Sequence, residues 1–170
     1  MTADPGVPAN GPEPTKWPAT LSPATGPVYS RVQTAIKADP ASVWAVVIRA
    51  AAWPEWFRHV KQVQLDDGGE DLAPDTGFRW RISGQRFRSR VRVFAPESQI
   101  AWESRNPLIH TFHAWHLLPT ATGCTVVDEE CQRGPLPRAS RPVVGRALHR
   151  VHQQWLESRA ARLESDRKQS

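Results

Sequence analysis

Among the 170 residues, the groups best placed to move a proton are a histidine and a glutamate on two consecutive extended segments. In Thr111-Phe-His-Ala-Trp-His-Leu and Thr125-Val-Val-Asp-Glu-Glu, alternation by two places His113 on the side of Trp115 and Glu129 on the side of Val127. A carboxylate enclosed among apolar groups has its pKa raised, and beside a histidine it can serve as acid or base on an enolisable substrate. The same residues also read as a satisfied pair, with Glu129 bonded to backbone or to an arginine and His113 anchoring a ligand or a water. That second reading carries more weight. A one-residue shift in strand register would turn Glu129 outward and Glu130 inward.

Other chemistries find less support. His110, His113 and His116 are spaced by three, which on a strand throws successive side chains to opposite faces, so His110 and His116 share a face that His113 does not. His149 and His152 share a face of a C-terminal helical stretch, but the sequence shows no CxxC or carboxylate partner for them, and zinc normally takes at least three protein ligands. No metal and no cofactor are expected. A phosphate loop, a dinucleotide fingerprint and a Gly-x-Ser-x-Gly elbow are all lacking. Cys124 and Cys131 lie in one extended segment, where seven steps span roughly 23 Å, so both should be free thiols.

A net charge of +5, carried mainly by arginine, makes an anionic partner worth weighing. Arg79, Arg81, Arg86, Arg88, Arg90 and Arg92 alternate with apolar residues and form one basic sheet face. A solvated outer face is the simpler reading, and nucleic acid is an unlikely partner because the aromatics point the other way. Eight tryptophans against one tyrosine are unusual, since tryptophan is large and seldom fully buried. Phe78, Trp80, Phe87, Trp102, Trp115 and Val127 share the apolar face, where several tryptophans pack inefficiently unless something fills the gaps.

The elements that must position these residues follow from periodicity. Residues 1–27 hold seven prolines and no period, which reads as a disordered tail in which Trp17 has no assigned role. Val28 to Ile36 alternate as a strand. Asp39-Pro40 opens a short helix through Val43, Trp44 and Val47, and Pro54 opens a second. Val63 and Leu65 mark another strand, and the acidic stretch 66–75 is a loop. Consecutive hairpins then carry Phe78, Trp80 and Ile82; Phe87, Ser89, Val91 and Val93; Ile100, Trp102 and Ser104; Thr111 to Leu117; and Thr125 to Glu129. Beyond Gly134-Pro135 the period becomes helical through Val144, Leu148, Val151, Trp155 and Leu163. Seven strands with one apolar face need a cover, and only this helix is long enough.

The order of strand, two short helices, six strands and long helix resembles the START-like helix-grip superfamily, also called SRPBCC, which includes pollen allergens, lipid-transfer domains and bacterial polyketide cyclases. Ile36-Lys-Ala-Asp-Pro-Ala-Ser-Val-Trp44 is similar to its strand-to-helix passage, and Ala51 to Trp56 to the tryptophan and proline segment that follows. His113-Ala-Trp-His-Leu-Leu-Pro with Gly123-Cys-Thr-Val-Val resembles its penultimate hairpin, and Trp155-Leu156 the end of its last helix. The resemblance covers residues 28 to about 165. It implies an α+β helix-grip fold over 28–167, a curved seven-stranded antiparallel sheet wrapped around the C-terminal helix, and a cavity between them.

The residues and the resemblance together favour binding of a hydrophobic small molecule such as a lipid, steroid or polyketide. Its expected walls are Phe78, Trp80, Phe87, Trp102, Trp115, Val127 and Leu148. A polyketide cyclase or dehydratase using His113 and Glu129 is the alternative, and an interaction module using the arginine face comes third. No apolar run reaches the roughly 20 residues that span a bilayer, and the N-terminus carries no signal peptide, so the expected compartment is the cytoplasm. Monomer and homodimer both stay open.

Overall fold

The computed structural model describes residues 15–169, with side chains described as far as residue 158. Strand β1 (Val28–Ile36) leads into helix α1 (Pro40–Ile48), where the Asp39 carboxylate accepts a hydrogen bond from the Ser42 amide at 2.9 Å and Pro40 occupies the first turn. A 3-10 turn (Ala50–Ala52) and helix α2 (Trp53–Trp56) complete the crossover to strand β2 (Val60–Leu65). Hairpins then build β3 (Gly77–Ile82), β4 (Gln85–Ala95), β5 (Gln99–Arg105), β6 (His110–Thr120) and β7 (Gly123–Arg133). Helices α3 (Pro135–Ala139) and α4 (Arg141–Gln169) end the chain.

The strands form one antiparallel sheet in the order β1-β7-β6-β5-β4-β3-β2. Its concave face takes α4, through the buried Trp155 and Leu156, together with the crossover helices, through Val43, Val47 and Trp53. This is the helix-grip architecture, an α+β fold in which the sheet closes around the last helix.

Two local devices decide which side chains face inward. Gly123 closes the β6–β7 hairpin at a φ of +152°, and a Cβ there would lie 2.1 Å from the Ile36 carbonyl oxygen, so only glycine fits. From that point Cys124, Val126, Asp128, Glu130 and Gln132 face the concave side, while Val127, Glu129 and Cys131 face the convex side, opposite Gln33, Arg31 and Tyr29 of β1. The expected inward placement of Val127 and Glu129 is therefore off by one residue. In β4 the register slips between Val91 and Val93. This bulge sends Val93 to the convex face, against Leu21, Ala101, Phe112 and Ala114, and brings Phe94 to the concave core.

Residues 15–27 correct the expectation of a disordered tail; residues 1–14 lie outside the described part. Thr15 is hydrogen-bonded to His116 at 2.7 Å and to Gln99 at 3.0 Å, the Trp17 ring packs 5.5 Å from Phe112, and Leu21 is fully buried. This strap covers the convex face of β5, β6 and β7 and buries their outward side chains. Leu21→Ala should accordingly cost about 2–5 kcal/mol, as for a buried leucine elsewhere. Urea unfolding checks this, and an unchanged midpoint would mean that the strap contributes no packing.

Candidate functional site

Between the sheet and the first half of α4 lies a cavity of about 420 Å³. Trp80, Phe87 and Trp102 from the sheet and Val144, Leu148 and Val151 from the helix supply its apolar lining. Val143, in the first turn of α4, is among its lining residues and is 61% exposed. At the middle of α4 the cavity ends. Trp155 borders it there and packs 4.4 Å from Phe57, 5.2 Å from Trp53 and 5.8 Å from Trp115 between ring centroids, so aromatic core closes that end.

One wall of the cavity is polar. His113, Glu130 and His152 line it together with Thr111 and Gln132. The His113 and His152 rings stack in parallel, with centroids 4.9 Å apart, and each end of the stack meets a carboxylate. At one end His113 Nε2 is 2.6 Å and His152 Nδ1 3.5 Å from Asp128 Oδ1. At the other, His152 Nε2 is 2.9 Å and His113 Nδ1 3.6 Å from Glu130 Oε2. Glu130 Oε1 also accepts hydrogen bonds from Thr111 at 2.5 Å and Gln132 at 2.7 Å. All four members are buried, and Asp128 is fully so.

Burial alone would push the Glu130 carboxyl up, but the His152 hydrogen bond and the adjacent His113 hold it well below the usual carboxylate range. Burial alone would likewise push His152 down, whereas Asp128 and Glu130 hold it above the ordinary histidine value. The site is therefore a buried array of alternating imidazoles and carboxylates at the edge of an apolar cavity. Such an array can exchange protons with a bound molecule or fix a polar group on it.

The structure distributes the sequence-derived site residues unevenly. Trp80, Phe87, Trp102, Leu148 and His113 line the cavity; Phe78 and Trp115 are buried in the solid core beside it; Val127 and Glu129 lie on the opposite face of the sheet. Glu129 is bonded to the Tyr29 hydroxyl, 3.3 Å from His116 and 3.6 Å from Arg31. Its place at the cavity is taken by Glu130. The view that His152 lacks a carboxylate partner is also corrected, because Asp128 and Glu130 reach it from β7 across the chain. His110 and His116 do share the convex face, where Glu103 and Glu129 bind them. Sequence reasoning assigned no site role to Asp128, His152, Thr111 or Gln132. The 3-residue spacing of His149 and His152 was the one available signal for a helical contribution.

The arginine face is solvated and partly compensated. Arg79 is 3.4 Å from Asp66 and Arg92 3.1 Å from Glu103, which also binds Arg105 and His110. Burial would raise the Glu103 carboxyl, but hydrogen bonds from Arg105, His110 and Arg92 and the Arg105 charge hold it at about 2. No helix among the described residues is long and apolar enough to cross a membrane.

Comparison with known proteins agrees with this architecture. The family model described as "Polyketide cyclase / dehydrase and lipid transport" matches residues 28–164, nearly the whole of the sheet and last helix. The chain belongs to this family. Among solved structures, this polyketide cyclase / dehydrase and lipid-transport family member superposes on a hypothetical protein from Helicobacter pylori with a TM-score of 0.81 at 19% identity, covering 95% of this chain and 98% of the other. It matches the di-domain ARO/CYC StfQ of the steffimycin biosynthetic pathway with a TM-score of 0.69 at 17% identity, over 83% of this chain and 52% of that one. A START superfamily protein from Mycobacterium smegmatis gives a TM-score of 0.66 at 16% identity, covering 81% and 97%. At these identities the likeness is one of fold. No curated protein sequence matches the chain.

Proposed function

We propose that this protein binds an apolar small molecule carrying at least one polar group, held under α4 with its polar end against His113, Glu130 and His152. The observation that carries this reading is the cavity of about 420 Å³, with its aromatic and aliphatic lining and single polar wall. Ligand sites ordinarily enclose roughly 300–1,000 Å³ and combine apolar walls with few, convergent polar groups. Trp102 lines the cavity, and its indole N–H is buried without a hydrogen-bond partner among the described residues. Cys124 and Cys131 are buried and form no disulfide, which fits a reducing compartment such as the cytoplasm.

Filling the cavity tests the proposal. Leu148 lines the cavity and is only half-buried, so Leu148→Trp should fold normally while filling the space, and titration with an apolar fluorescent probe should show at least a 10-fold loss of affinity. Trp102→Ala should weaken the same probe by removing a wall. Probe binding that survives both substitutions unchanged would place the bound molecule elsewhere.

A second reading, turnover of the enclosed molecule by cyclisation or dehydration, is favoured by the 3.6 Å approach of His113 to Glu130 at the cavity wall. In that reading Glu130, and not Glu129, is the carboxylate partner. Glu130→Gln should then lower the rate on a polyketide-like substrate by roughly 100-fold or more with probe binding retained, as for loss of a general acid or base. Equal rates in Glu130→Gln and the parent would remove Glu130 from the chemistry, and no turnover by the parent would leave binding as the whole function.

A further inference from the structure

The Asp128 end of the imidazole stack differs from the Glu130 end. Glu130 is fully engaged, with Oε1 accepting from Thr111 and Gln132 and Oε2 from His152. At the other end Asp128 Oδ2 and His152 Nδ1 are buried and have no hydrogen-bond partner, although Asp128 and His152 are the most deeply buried members of the array. Native interiors pair nearly all such atoms with protein, water or an ion. Two further buried atoms without a partner, Ser30 Oγ and Gln132 Oε1, belong to the same region of β1 and β7.

The ligand atoms of His113, Asp128 and His152 all lie within 4.8 Å of one another. Two imidazole nitrogens and a carboxylate oxygen suit a borderline divalent ion of the first transition row, and three protein ligands is the number found in zinc sites that keep a position open. The opposite nitrogen of each imidazole faces Glu130 Oε2, at 2.9 Å for His152 and 3.6 Å for His113. Metal-bound histidines characteristically donate their second N–H to a carboxylate, which fixes tautomer and ring orientation. One glutamate, itself held by Thr111 and Gln132, is placed to do this for both rings.

We infer that His113 Nε2, His152 Nδ1 and Asp128 together form a binding site for a divalent transition-metal ion such as Zn²⁺, with Glu130 as the outer carboxylate that orients both imidazoles. The site ties α4 to β6 and β7 behind the polar wall of the cavity. It shares His113, His152 and Glu130 with the polar wall of the cavity and adds Asp128, which does not line the cavity.

The test uses the full chain, freed of metal with a chelator and titrated with Co²⁺ and then Zn²⁺. The expected result is uptake of one Co²⁺ per chain with a visible absorption band that Zn²⁺ abolishes. X-ray absorption of the Zn²⁺-loaded parent chain should show two imidazole ligands, a readout that needs no variant. Asp128→Asn and His152→Ala should each weaken Co²⁺ by more than about 100-fold, and Glu130→Gln by about 10–100-fold as for an outer-shell partner. His149→Ala, on the exposed side of the same helix, should bind as the parent does. A folded parent chain that takes up no Co²⁺ would overturn the inference, as would an oxygen-only ligand set or unchanged uptake in folded Asp128→Asn. An apolar-probe titration of the metal-free chain, run alongside, separates loss of the metal site from failure of the cavity reading.

Discussion

Replacing Trp155 with alanine should destabilise the protein by about 3–5 kcal/mol, the range for deleting a buried aromatic side chain. The indole is 1% exposed and fills the space where α4 meets α2 and the sheet, with Phe57, Trp53, Trp56, Trp80 and Trp115 as ring neighbours. No neighbour can close the resulting void without leaving its own partners, because Trp53 already contacts Phe78, Trp80 and Trp102. For a chain of this length, a loss of this size lowers the melting midpoint on the order of 10 °C. Truncation after Gly134 removes the same anchor with the whole helix and should give insoluble or molten protein. A Trp155→Ala chain melting within a degree or two of the parent, or a cooperative melt after truncation, would contradict the role given to α4.

The second large effect separates two adjacent carboxylates. Glu130→Ala should cost about 3–5 kcal/mol in the chelator-treated chain, because it strands Thr111, Gln132 and His152 as buried groups without their acceptor. Glu129→Ala should cost less, about 1–2 kcal/mol, since its partners Tyr29 and Arg31 are exposed and can turn to water, while the buried His116 keeps its hydrogen bond to Thr15. Denaturant unfolding of the two variants decides the matter. A larger loss in Glu129→Ala would mean that β7 presents the opposite set of side chains to the helix.

That contrast also shows where the sequence was readable. In β3 and β4 one face meets water, so Trp80 and Phe87 alternate cleanly with Arg79, Arg81, Arg86 and Arg88, and the inward set follows directly. In β7 both faces are covered, one by α4 and the other by the residue 15–27 strap. Val126 and Val127 are both buried, as are Glu130 and Cys131, and alternation no longer distinguishes inside from outside. The register was fixed instead by Gly123, a constraint of backbone clearance with no hydrophobic signature.

The strap itself was illegible for a related reason. Thr15, Trp17 and Leu21 pack as irregular chain against a sheet, without a period of their own, and the seven prolines of residues 1–27 pointed toward disorder. The bulge between Val91 and Val93 likewise has no sequence marker, yet it exchanges Val93 for Phe94 in the concave core. The imidazole and carboxylate array depends on His152 meeting residues more than 20 positions away. Only tertiary packing brings those groups together, although the helical period correctly oriented the helix that carries His152.

The central claim, that the space beneath α4 holds an apolar small molecule, is tested most directly by native mass spectrometry of the freshly purified full chain beside its Leu148→Trp variant. The expected spectrum of the parent contains a bound species of several hundred daltons that disappears under denaturing conditions and is lost or much reduced in the variant. Retention of the same species by folded Leu148→Trp would contradict the claim, as would a bare parent chain that also fails to take up any added apolar probe.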